Sequence, residues 1–351
     1  YKLDAVAEKF VGDKKVDMDY KQLFRMARGS PAEIALVAAY CVQDCFLLVK
    51  LSIRLQIFAG NVEMSRVCCT PMELLVTRGQ QIKVINQLVW YGHRLERDET
   101  TKQNGYIMNT PASFSGGPDD KYMGATVIDA KAKYYKTPIA TLDFMSLYPS
   151  IINANNFCFS CLVQDPQYEN IPGVNYAIIE MDDNKRYVWA KNHQGVLPTM
   201  MQALLSARKE AKRHRGEAGR AIKTAESALS ANPDDVEAKN ALQSAQVMYA
   251  VYNARQSALK VSANSIYGFT GALKTGQYHC LAVADSVTFR AREMLNQTVE
   301  FVKEFTHNTC EVVYGDTDSI MVRFDGADTV ELAAEKASAA ADWITEQFKI
   351  M

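Results

Sequence analysis

The 351-residue chain has almost no net charge, because 39 Lys and Arg residues face 40 Asp and Glu residues. This balance excludes a uniformly basic nucleic-acid binder, so any phosphate site must concentrate its positive charge locally. The chain lacks a run of about 18 consecutive apolar residues, which predicts that it has no membrane-spanning segment. A hydrophobic content of 48% excludes a disordered or fibrous chain, and the length favours about two domains.

Cysteine is also scarce, with 8 residues in the whole chain. The cysteines are too sparse to indicate a disulfide framework, and no signal peptide is recognised. We therefore expect a reducing compartment and a non-secreted protein. Cys158 and Cys161 have metal-ligand spacing, but one pair cannot complete a tetrahedral zinc site. Cys41 and Cys45 lie one helical turn apart among apolar residues and are expected to be buried. The chain begins and ends within recognisable patterns, so we expect it to be a fragment.

Hydrophobic periodicity predicts an α+β fold. Residues up to about 60 and residues 70–95 have helical spacing, with Thr70 as N-cap and Pro71 at the first helical position. Residues 98–122 are polar and rich in Gly, Asn and Asp, which predicts a loop or domain boundary. Short strands are expected at 122–128, 137–143, 177–179, 311–314 and 319–324. Helices are expected at 197–229, 234–267, 283–305 and from 329. The segment Asn-Pro-Asp-Asp at 232–235 separates the two long helices, so they are expected to form an antiparallel hairpin.

Two carboxylates occupy the tip of a predicted β-hairpin. Gly315, Asp316, Thr317 and Asp318 lie between two apolar strands and have the composition of a tight turn. A turn accounts for the glycine and one aspartate. It does not account for two neighbouring carboxylates, which repel each other unless a cation lies between them. A structural turn and a cation site are both compatible with these residues.

A second carboxylate ends an earlier strand. Asp143 is followed by a predicted strand-to-helix turn, with Pro149 in the first helical turn. Such a turn exposes the backbone N–H groups of Ser146, Leu147 and Tyr148, which form an anion site beside the carboxylate. The alternative is that Asp143 and Ser146 only cap the helix.

The two long helices supply positive charge. Between residues 208 and 223 there are seven Lys and Arg residues against two Glu. Arg208 and Lys212 are four residues apart and share a helix face. The second helix presents a comparable face, formed by Lys260, Asn264, Tyr267 and Gly271. A solvated helix face would explain either stripe alone, but carboxylates, backbone amides and two basic stripes together predict a triphosphate site with divalent cations.

Three segments resemble motifs A, B and C of family B DNA polymerases. They are DFMSLYPS at 143–150, KVSANSIYG at 260–268 and YGDTDS at 314–319. The flanking sequences RGQQIK at 78–83 and LLSARKEAK at 204–212 resemble the DNA polymerase delta group and its relatives in large DNA viruses. The resemblance covers nearly the whole chain and implies a DNA-directed DNA polymerase that transfers deoxynucleotides to a primer 3′-hydroxyl and releases pyrophosphate.

The resemblance also implies a domain order. It predicts an antiparallel palm sheet that carries the catalytic aspartates, a long helical hairpin as the fingers, and a helical remnant of an exonuclease domain. The thumb and the amino-terminal domain are expected to lie outside the chain. The expected bounds are 1–65 for the end of the 3′–5′ exonuclease domain, 66–121 for a helical linker, 122–196 for the first part of the palm, 197–272 for the fingers and 273–351 for the second part of the palm.

Roles for individual residues follow from the resemblance. Asp143 and Asp318 would bind two Mg²⁺ ions with the backbone carbonyl of Phe144, and Asp316 would support them as a third catalytic residue. Tyr148 would be the steric gate under the sugar. The residues implied at the nucleotide are Ser146, Leu147, Tyr148, Arg208, Lys212, Lys260 and Asn264. Those implied at the DNA and the nascent base pair are Tyr267, Gly268 and Tyr314.

Tyr40 and Asp44 match the third motif of the family's exonuclease, in which the aspartate binds metal. The other exonuclease carboxylates would precede Tyr1, so this chain is not expected to proofread by itself. Met145 and Asn155 depart from the family pattern, which leaves any role of position 155 open. The segment between Arg208 and Lys260 is longer than the usual fingers hairpin, and we expect an extended fingers tip over 213–250.

The implied partners are primer-template DNA and deoxynucleoside triphosphates, with a sliding clamp or accessory subunits as further partners and no membrane. The implied location is the nucleus of a eukaryotic cell or a viral replication site. A non-catalytic scaffold would retain the helical hairpin but lose the carboxylates, all three of which are present here. An RNA-dependent polymerase shares the paired aspartates but would not combine the sequence LYPS with the pattern at 260–268.

Overall fold

A computed structural model describes residues 2–95, 122–181, 185–272 and 278–350. The chain divides into two compact units, residues 1–77 with 207–259 (the helical unit) and residues 78–206 with 260–351 (the sheet unit). The helices are α1 (Leu3–Val11), α2 (Tyr20–Met26), α3 (Pro31–Arg54), α4 (Ile57–Cys68), α5 (Met72–Thr77), α6 (Gln81–Leu95), α7 (Leu147–Asn155), α8 (Val196–Ala231), α9 (Val236–Thr270), α10 (Leu281–Phe305) and α11 (Val330–Ile350). The strands are β1 (Val127–Ile128), β2 (Ala140–Asp143), β3 (Tyr176–Glu180), β4 (Arg186–Ala190), β5 (Cys310–Asp316) and β6 (Ser319–Phe324).

In the helical unit, α3 begins with a capping box. The Glu33 N–H donates to the Ser30 hydroxyl at 3.4 Å, and the Glu33 carboxylate accepts the Ser30 N–H at 2.8 Å. Pro31 stands at the first helical position, where its missing N–H costs nothing. The buried residues Leu47 and Leu51 pack with Ala7 of α1 and fix α3 against that helix.

The expectation that Cys41 and Cys45 are buried is wrong, because both are exposed. Apolar residues occur all round α3, so periodicity alone did not identify the face that packs on α1. By length and composition only, this 24-residue helix is also long and apolar enough to cross a membrane. The absence of a membrane segment therefore stays a prediction.

The predicted antiparallel helical hairpin is confirmed. Within the helical unit, Arg215 donates to the Asn253 side chain at 3.2 Å, and the rings of His214 and Tyr252 stack with centroids 4.8 Å apart. Small residues let the helices approach closely: the buried alanines at seven-residue spacing are Ala211, Ala218 and Ala225 on α8 and Ala238 and Ala245 on α9. The break falls at 232–235, as the proline predicted.

The sheet unit contains a four-stranded antiparallel sheet in the order β1-β5-β6-β2 and a separate β3–β4 pair. Helices α10 and α11 pack on the larger sheet through an apolar core, whose buried members include Leu295, Val302, Ile320, Val322, Phe324, Ala340 and Ile344. Together with the helical unit, this arrangement confirms the predicted α+β class.

Several predicted bounds are wrong. Helix 70–95 is two helices, since residues 78–80 interrupt it, and α5 begins at Met72 rather than at Pro71. The strand expected at 122–128 is shorter and consists of β1 alone. Its first residue, Val127, pairs with Asp316, the last residue of β5, so the residues before Val127 have no partner on that strand. Strand β2 begins later than expected, after Pro138, which has no N–H to donate to a ladder. Strand β4 was not predicted. The predicted loop at 98–122 lies outside the described residues, except for Tyr122.

Candidate active site

The register of the sheet brings Asp143 and Asp318 to the same end of two paired strands. Asp143 is the last residue of β2 and lies opposite Ser319, the first residue of β6. The Phe144 N–H then donates to the Asp318 carbonyl at 2.8 Å. Only Thr317 and Asp318 connect β5 to β6, and Thr317 adopts a left-handed φ of 56°. This tight turn holds Asp318 beside the end of β2.

The two carboxylates are electrostatically coupled. Burial raises the pKa of Asp318, the negative charge of Asp143 raises it further, and that of Asp316 adds to the effect. The positive charge of Lys260 opposes this rise. Both aspartates line a pocket whose remaining walls are largely apolar, formed by Leu142, Leu295, Ile320, Ala341 and Ile344 among others. A cation between the carboxylates would relieve their repulsion in this setting.

Asp316 has a different environment. Its carboxylate accepts the Thr317 hydroxyl at 2.8 Å and the Tyr314 hydroxyl at 3.3 Å. Both of its oxygens therefore have a protein donor, which is consistent with a supporting position. Tyr314 lies on β5 and contacts the site through this hydrogen bond.

The turn between β2 and α7 follows the sequence prediction. Ser146 adopts a left-handed φ of 60°, and α7 starts at Leu147 with the Ser150 N–H donating to the Ser146 carbonyl at 3.0 Å. Leu147 is buried and anchors this turn, while Met145 points to solvent with 80% exposure. The first N–H groups of α7 therefore lie directly after Asp143 along the chain.

A tyrosine pair connects motif A to motif B. The rings of Tyr148 and Tyr267 lie 4.4 Å apart at an interplanar angle of 49°. Burial raises the pKa of Tyr267, and a hydrogen bond with the Tyr122 hydroxyl raises it further. Burial also raises the pKa of Tyr148, and the charge of Asp318 adds to that rise.

The sequence did not identify two residues in this cluster, Tyr122 and Arg292. Tyr122 precedes β1 and also approaches Gly271, where an added Cβ would meet its ring. Arg292 lies in the interior of α10, donates to the carbonyls of Met123 and Gly124 at 2.9 Å each, and its charge reaches Tyr148. Neither position carries a local signal, because each is brought to the site only by tertiary packing.

The basic residues lie on two helices. Lys260 and Asn264 are exposed on α9, one turn apart, and Tyr267 continues the same face. Gly268 is exposed, and an added Cβ there would meet nothing within 4 Å. On α8, half-buried Arg208 and exposed Lys212 belong to the helical unit. Their position at a triphosphate stays a prediction.

The residues at the Asp143–Asp318 end suit Mg²⁺. The described parts of the chain contain no group of three or more His, Cys, Asp or Glu side chains arranged to hold a metal. Two aspartates and a backbone carbonyl at Phe144 give an incomplete, all-oxygen ligand set. Mg²⁺ is usually bound by one or two carboxylates together with waters and substrate phosphates, so this set fits ions that arrive with a nucleotide.

The exonuclease-like pair lies on α3 in the helical unit. The Lys15 ammonium lies 2.8 Å from the Asp44 carboxylate and 5.5 Å from the centre of the Tyr40 ring. Among the described residues, the second oxygen of Asp44 is buried without a hydrogen-bond partner. An unsatisfied buried carboxylate oxygen is costly, so this atom is suited to a ligand or to a further protein group.

Comparison with known proteins identifies the class of protein that this fold and site define. The family model for DNA polymerase family B matches residues 70–225 and 235–350, and the chain belongs to this family. The residues between the two matched segments, 226–234, lie at the tip of the helical hairpin. The expected extension of the tip over 213–250 stays a prediction.

The most informative relatives are DNA polymerase delta catalytic subunits. The chain is 36% identical over 368 residues to that of Drosophila melanogaster and 36% identical over 358 residues to that of Schizosaccharomyces pombe. Each match covers 99% of this chain but only 29% of the relative. The structure of the family B DNA polymerase from the hyperthermophilic archaeon Pyrobaculum calidifontis has a similar fold, with a TM-score of 0.63 and 23% identity over 99% of this chain and 39% of that one.

Proposed function

We propose that the chain is the palm and fingers part of a DNA-directed DNA polymerase that acts in DNA replication. It transfers deoxynucleotides to a primer 3′-hydroxyl and releases pyrophosphate. The observation that carries this proposal is the position of Asp143 and Asp318 at one end of the sheet, within electrostatic reach of Lys260. Membership of DNA polymerase family B supports the same reaction.

Asp143, Asp318 and the Phe144 carbonyl would hold two Mg²⁺ ions. When bound, these ions lower the pKa of the primer hydroxyl and neutralise charge on the triphosphate and the leaving pyrophosphate. The protein contributes the fixed separation of the two carboxylates, which the β2–β6 ladder sets. Asp316, held by Tyr314 and Thr317, supports the turn that carries Asp318.

Cationic and backbone donors bind the triphosphate. Lys260 provides positive charge near Asp318, and Asn264 extends that face by one helical turn. The N–H groups of Ser146 and Leu147 provide the anion site at the start of α7. Arg208 and Lys212 add charge from α8. Such preorganised donors stabilise the charge that develops during phosphoryl transfer.

Aromatic residues select the nucleotide. The Tyr148 ring occupies the space under the sugar, where it excludes a 2′-hydroxyl. Tyr267 and Gly268 line the nascent base pair, and Tyr314 lies toward the DNA. The contact between the Tyr148 and Tyr267 rings supports this assignment, because it brings the sugar and base positions together.

Tyr40 and Asp44 would contribute one part of a 3′–5′ exonuclease site, with Asp44 as a metal ligand. The partners of the polymerase are primer-template DNA and deoxynucleoside triphosphates, with a sliding clamp or accessory subunits as further partners. Similarity to eukaryotic delta subunits supports action in a nucleus, and a viral replication site suits the same chemistry.

Primer extension with Mg²⁺ tests the proposal in the protein that contains this chain. Asp318→Asn should abolish nucleotide incorporation and leave primer-template binding nearly unchanged. Asp325→Asn is the matched control, since Asp325 is an exposed carboxylate just beyond the other end of β6. Near-normal extension by Asp318→Asn would refute the assignment. If Asp318→Asn loses DNA binding and the wild type incorporates no nucleotide, a non-catalytic scaffold would be favoured. Extension by the wild type only on RNA templates would favour an RNA-dependent enzyme.

A further inference from the structure

A β-turn immediately after α7 contains the cysteine pair that the polymerase reaction does not use. The Cys161 N–H donates to the Cys158 carbonyl at 3.0 Å, which closes a turn with Phe159 and Ser160 at its tip. The first and fourth Cα atoms of a β-turn lie within about 7 Å. A disulfide needs a Cα separation of about 4.4 to 6.8 Å. The backbone of this turn is therefore already in the range that a disulfide requires.

The two sulfur atoms converge on one small space. A Cβ added at Gly195 would lie 2.8 Å from Cys158 Sγ and 2.9 Å from Cys161 Sγ. The Ser160 hydroxyl lies 3.4 Å from each sulfur. Because residue 195 is a glycine, the space that a side chain would fill there is available to both thiols. Each cysteine is a free thiol in this structure.

The surroundings of the two thiols differ. Cys158 Sγ accepts the Leu197 N–H at 3.4 Å, in the first turn of α8, and a helix amino terminus favours a thiolate. Burial alone would raise the pKa of Cys158, but hydrogen bonds from Cys161, Leu197 and Ser160 more than offset it and lower that pKa. The hydrogen bond with Cys158 and burial raise the pKa of Cys161, whose sulfur also accepts the Asn156 amide at 3.1 Å. The two environments therefore favour the thiolate at Cys158 and the thiol at Cys161.

We propose that Cys158 and Cys161 form a redox-active dithiol that a peroxide closes into a disulfide. The Cys158 thiolate attacks one peroxide oxygen and the O–O bond breaks, which leaves a sulfenic acid and, after protonation, water. Cys161 then attacks the sulfenic sulfur, the S–O bond breaks, and a second water leaves with the thiol proton. Two thiols and one hydrogen peroxide thus give one disulfide and two waters. The sulfurs are oxidised and the peroxide is reduced.

Both sulfurs are buried beneath the turn, against Asn156, Gly195 and Leu197. Cys158 is 0% and Cys161 4% exposed, but Ser160 is exposed at the tip of the turn that covers them. A small oxidant such as hydrogen peroxide reaches the sulfurs after a local opening of this turn. Exchange with a disulfide of another protein would need a much larger opening. Closure also removes the anionic acceptor of the Leu197 N–H, so the first turn of α8 should lose protection from hydrogen exchange.

Peptide mapping of the intact protein tests the proposal without reference to polymerase activity. After treatment with hydrogen peroxide and alkylation, trypsin releases residues 137–185, which contain Cys158 and Cys161 and no other cysteine. We expect this peptide to lose two hydrogens, to escape alkylation and to recover both thiols after dithiothreitol. In Cys161→Ser, a 1,3-diketone should trap Cys158 as the sulfenic acid, and a thermal melt checks that this variant folds.

Cys280→Ser is the matched control, because Cys280 is a buried cysteine outside the turn and burial raises its pKa. This variant should close the disulfide as the wild type does. The proposal fails if residues 137–185 keep both thiols at peroxide concentrations that oxidise exposed Cys41 and Cys45. It also fails if Cys158 is driven to the sulfinic acid in the wild type without a disulfide.

Discussion

The Tyr148 ring, one residue into α7, lies 4.4 Å from the Tyr267 ring, near the end of α9. These residues are distant in sequence, and Tyr148 is only half-buried, so the contact limits where its ring can move. Tyr148 also follows Asp143 by one tight turn, so the ring contact joins the end of α9 to the segment that carries this carboxylate. The tyrosine contact thus connects the proposed sugar position to the proposed metal ligands.

Replacing Tyr148 with alanine should reduce discrimination against ribonucleotides. The ring fills the space that a 2′-hydroxyl would need, and this hydroxyl is the group that separates the two sugars. We expect the ratio of kcat/KM for deoxy- and ribonucleotides to fall by roughly tenfold or more, which corresponds to about 1.4 kcal/mol per factor of ten. Tyr148→Phe keeps the ring and should retain discrimination. An unchanged ratio in Tyr148→Ala would exclude the steric gate.

Tyr122→Phe should weaken the packing of Tyr122, Tyr148 and Tyr267 without creating a cavity. The substitution removes only the hydroxyl that hydrogen-bonds Tyr267, so the free energy of unfolding should fall by about 1 kcal/mol, as for a typical net hydrogen bond. The nucleotide KM should rise, because Tyr267 is less well positioned. Urea unfolding and steady-state kinetics measure the two effects. Tyr134→Phe is the control, since Tyr134 is 86% exposed, and equal effects in both variants would contradict the prediction.

The parts of the fold that depend on local signals could be predicted from the sequence. The helical hairpin was predicted from two polar, alanine-rich stretches around Pro233, and the β5–β6 turn from glycine and aspartate between apolar runs. The proximity of Asp143 to Asp318 was expected from the motif resemblance, and the β2–β6 register brings the two residues together. Whether they bind Mg²⁺ stays a prediction.

Features that depend on distant partners could not be predicted. Strand β1 begins its pairing at Val127, opposite the last residue of β5, so its start is set by a segment almost 190 residues later. Tyr122 and Arg292 reach the site only through packing of the segment before β1 against α10. The exposure of Cys41 had no sequence signal, because α3 is apolar on more than one face.

Lys260→Ala should raise the nucleotide KM more than it lowers kcat. Lys260 is exposed on α9 and its charge reaches Asp318, so its removal takes away positive charge where the triphosphate is proposed to bind. We expect a rise in KM of roughly tenfold, measured by single-nucleotide incorporation, with partial recovery in Lys260→Arg. Lys239→Ala, at an exposed lysine near the other end of the same helix, serves as the control. A KM equal to that of the control would remove Lys260 from the nucleotide site.

Asp285→Ala should destabilise the sheet unit. The Asp285 side chain is 4% exposed, accepts the Tyr187 hydroxyl at 3.1 Å and lies 3.4 Å from the Lys185 ammonium. The alanine leaves these β3–β4 groups without their carboxylate, so the free energy of unfolding should fall by about 2 to 4 kcal/mol. Asp285→Asn should cost less, because its amide oxygen can still accept from Tyr187. Urea unfolding distinguishes the two variants, and equal losses would mean that the lost charge, rather than the lost volume or hydrogen bond, is responsible.

Glu311→Gln should lower stability in a pH-dependent way. A hydrogen bond from Lys133 holds the pKa of Glu311 below its usual range, and Arg323 and Lys131 add to the effect. Because the folded-state pKa is lower than the unfolded one, this stabilisation is fully present above the ordinary glutamate pKa of about 4.3 and is lost as the pH falls through the folded-state value. The melting temperature of the variant should therefore be lower than that of the wild type at neutral pH, and the two should converge in acid. Glu346→Gln, which breaks only an exposed ion pair with Lys349, should change the melting temperature little at any pH. A gap between wild type and Glu311→Gln that persists at the lowest pH would show that the loss comes from packing instead.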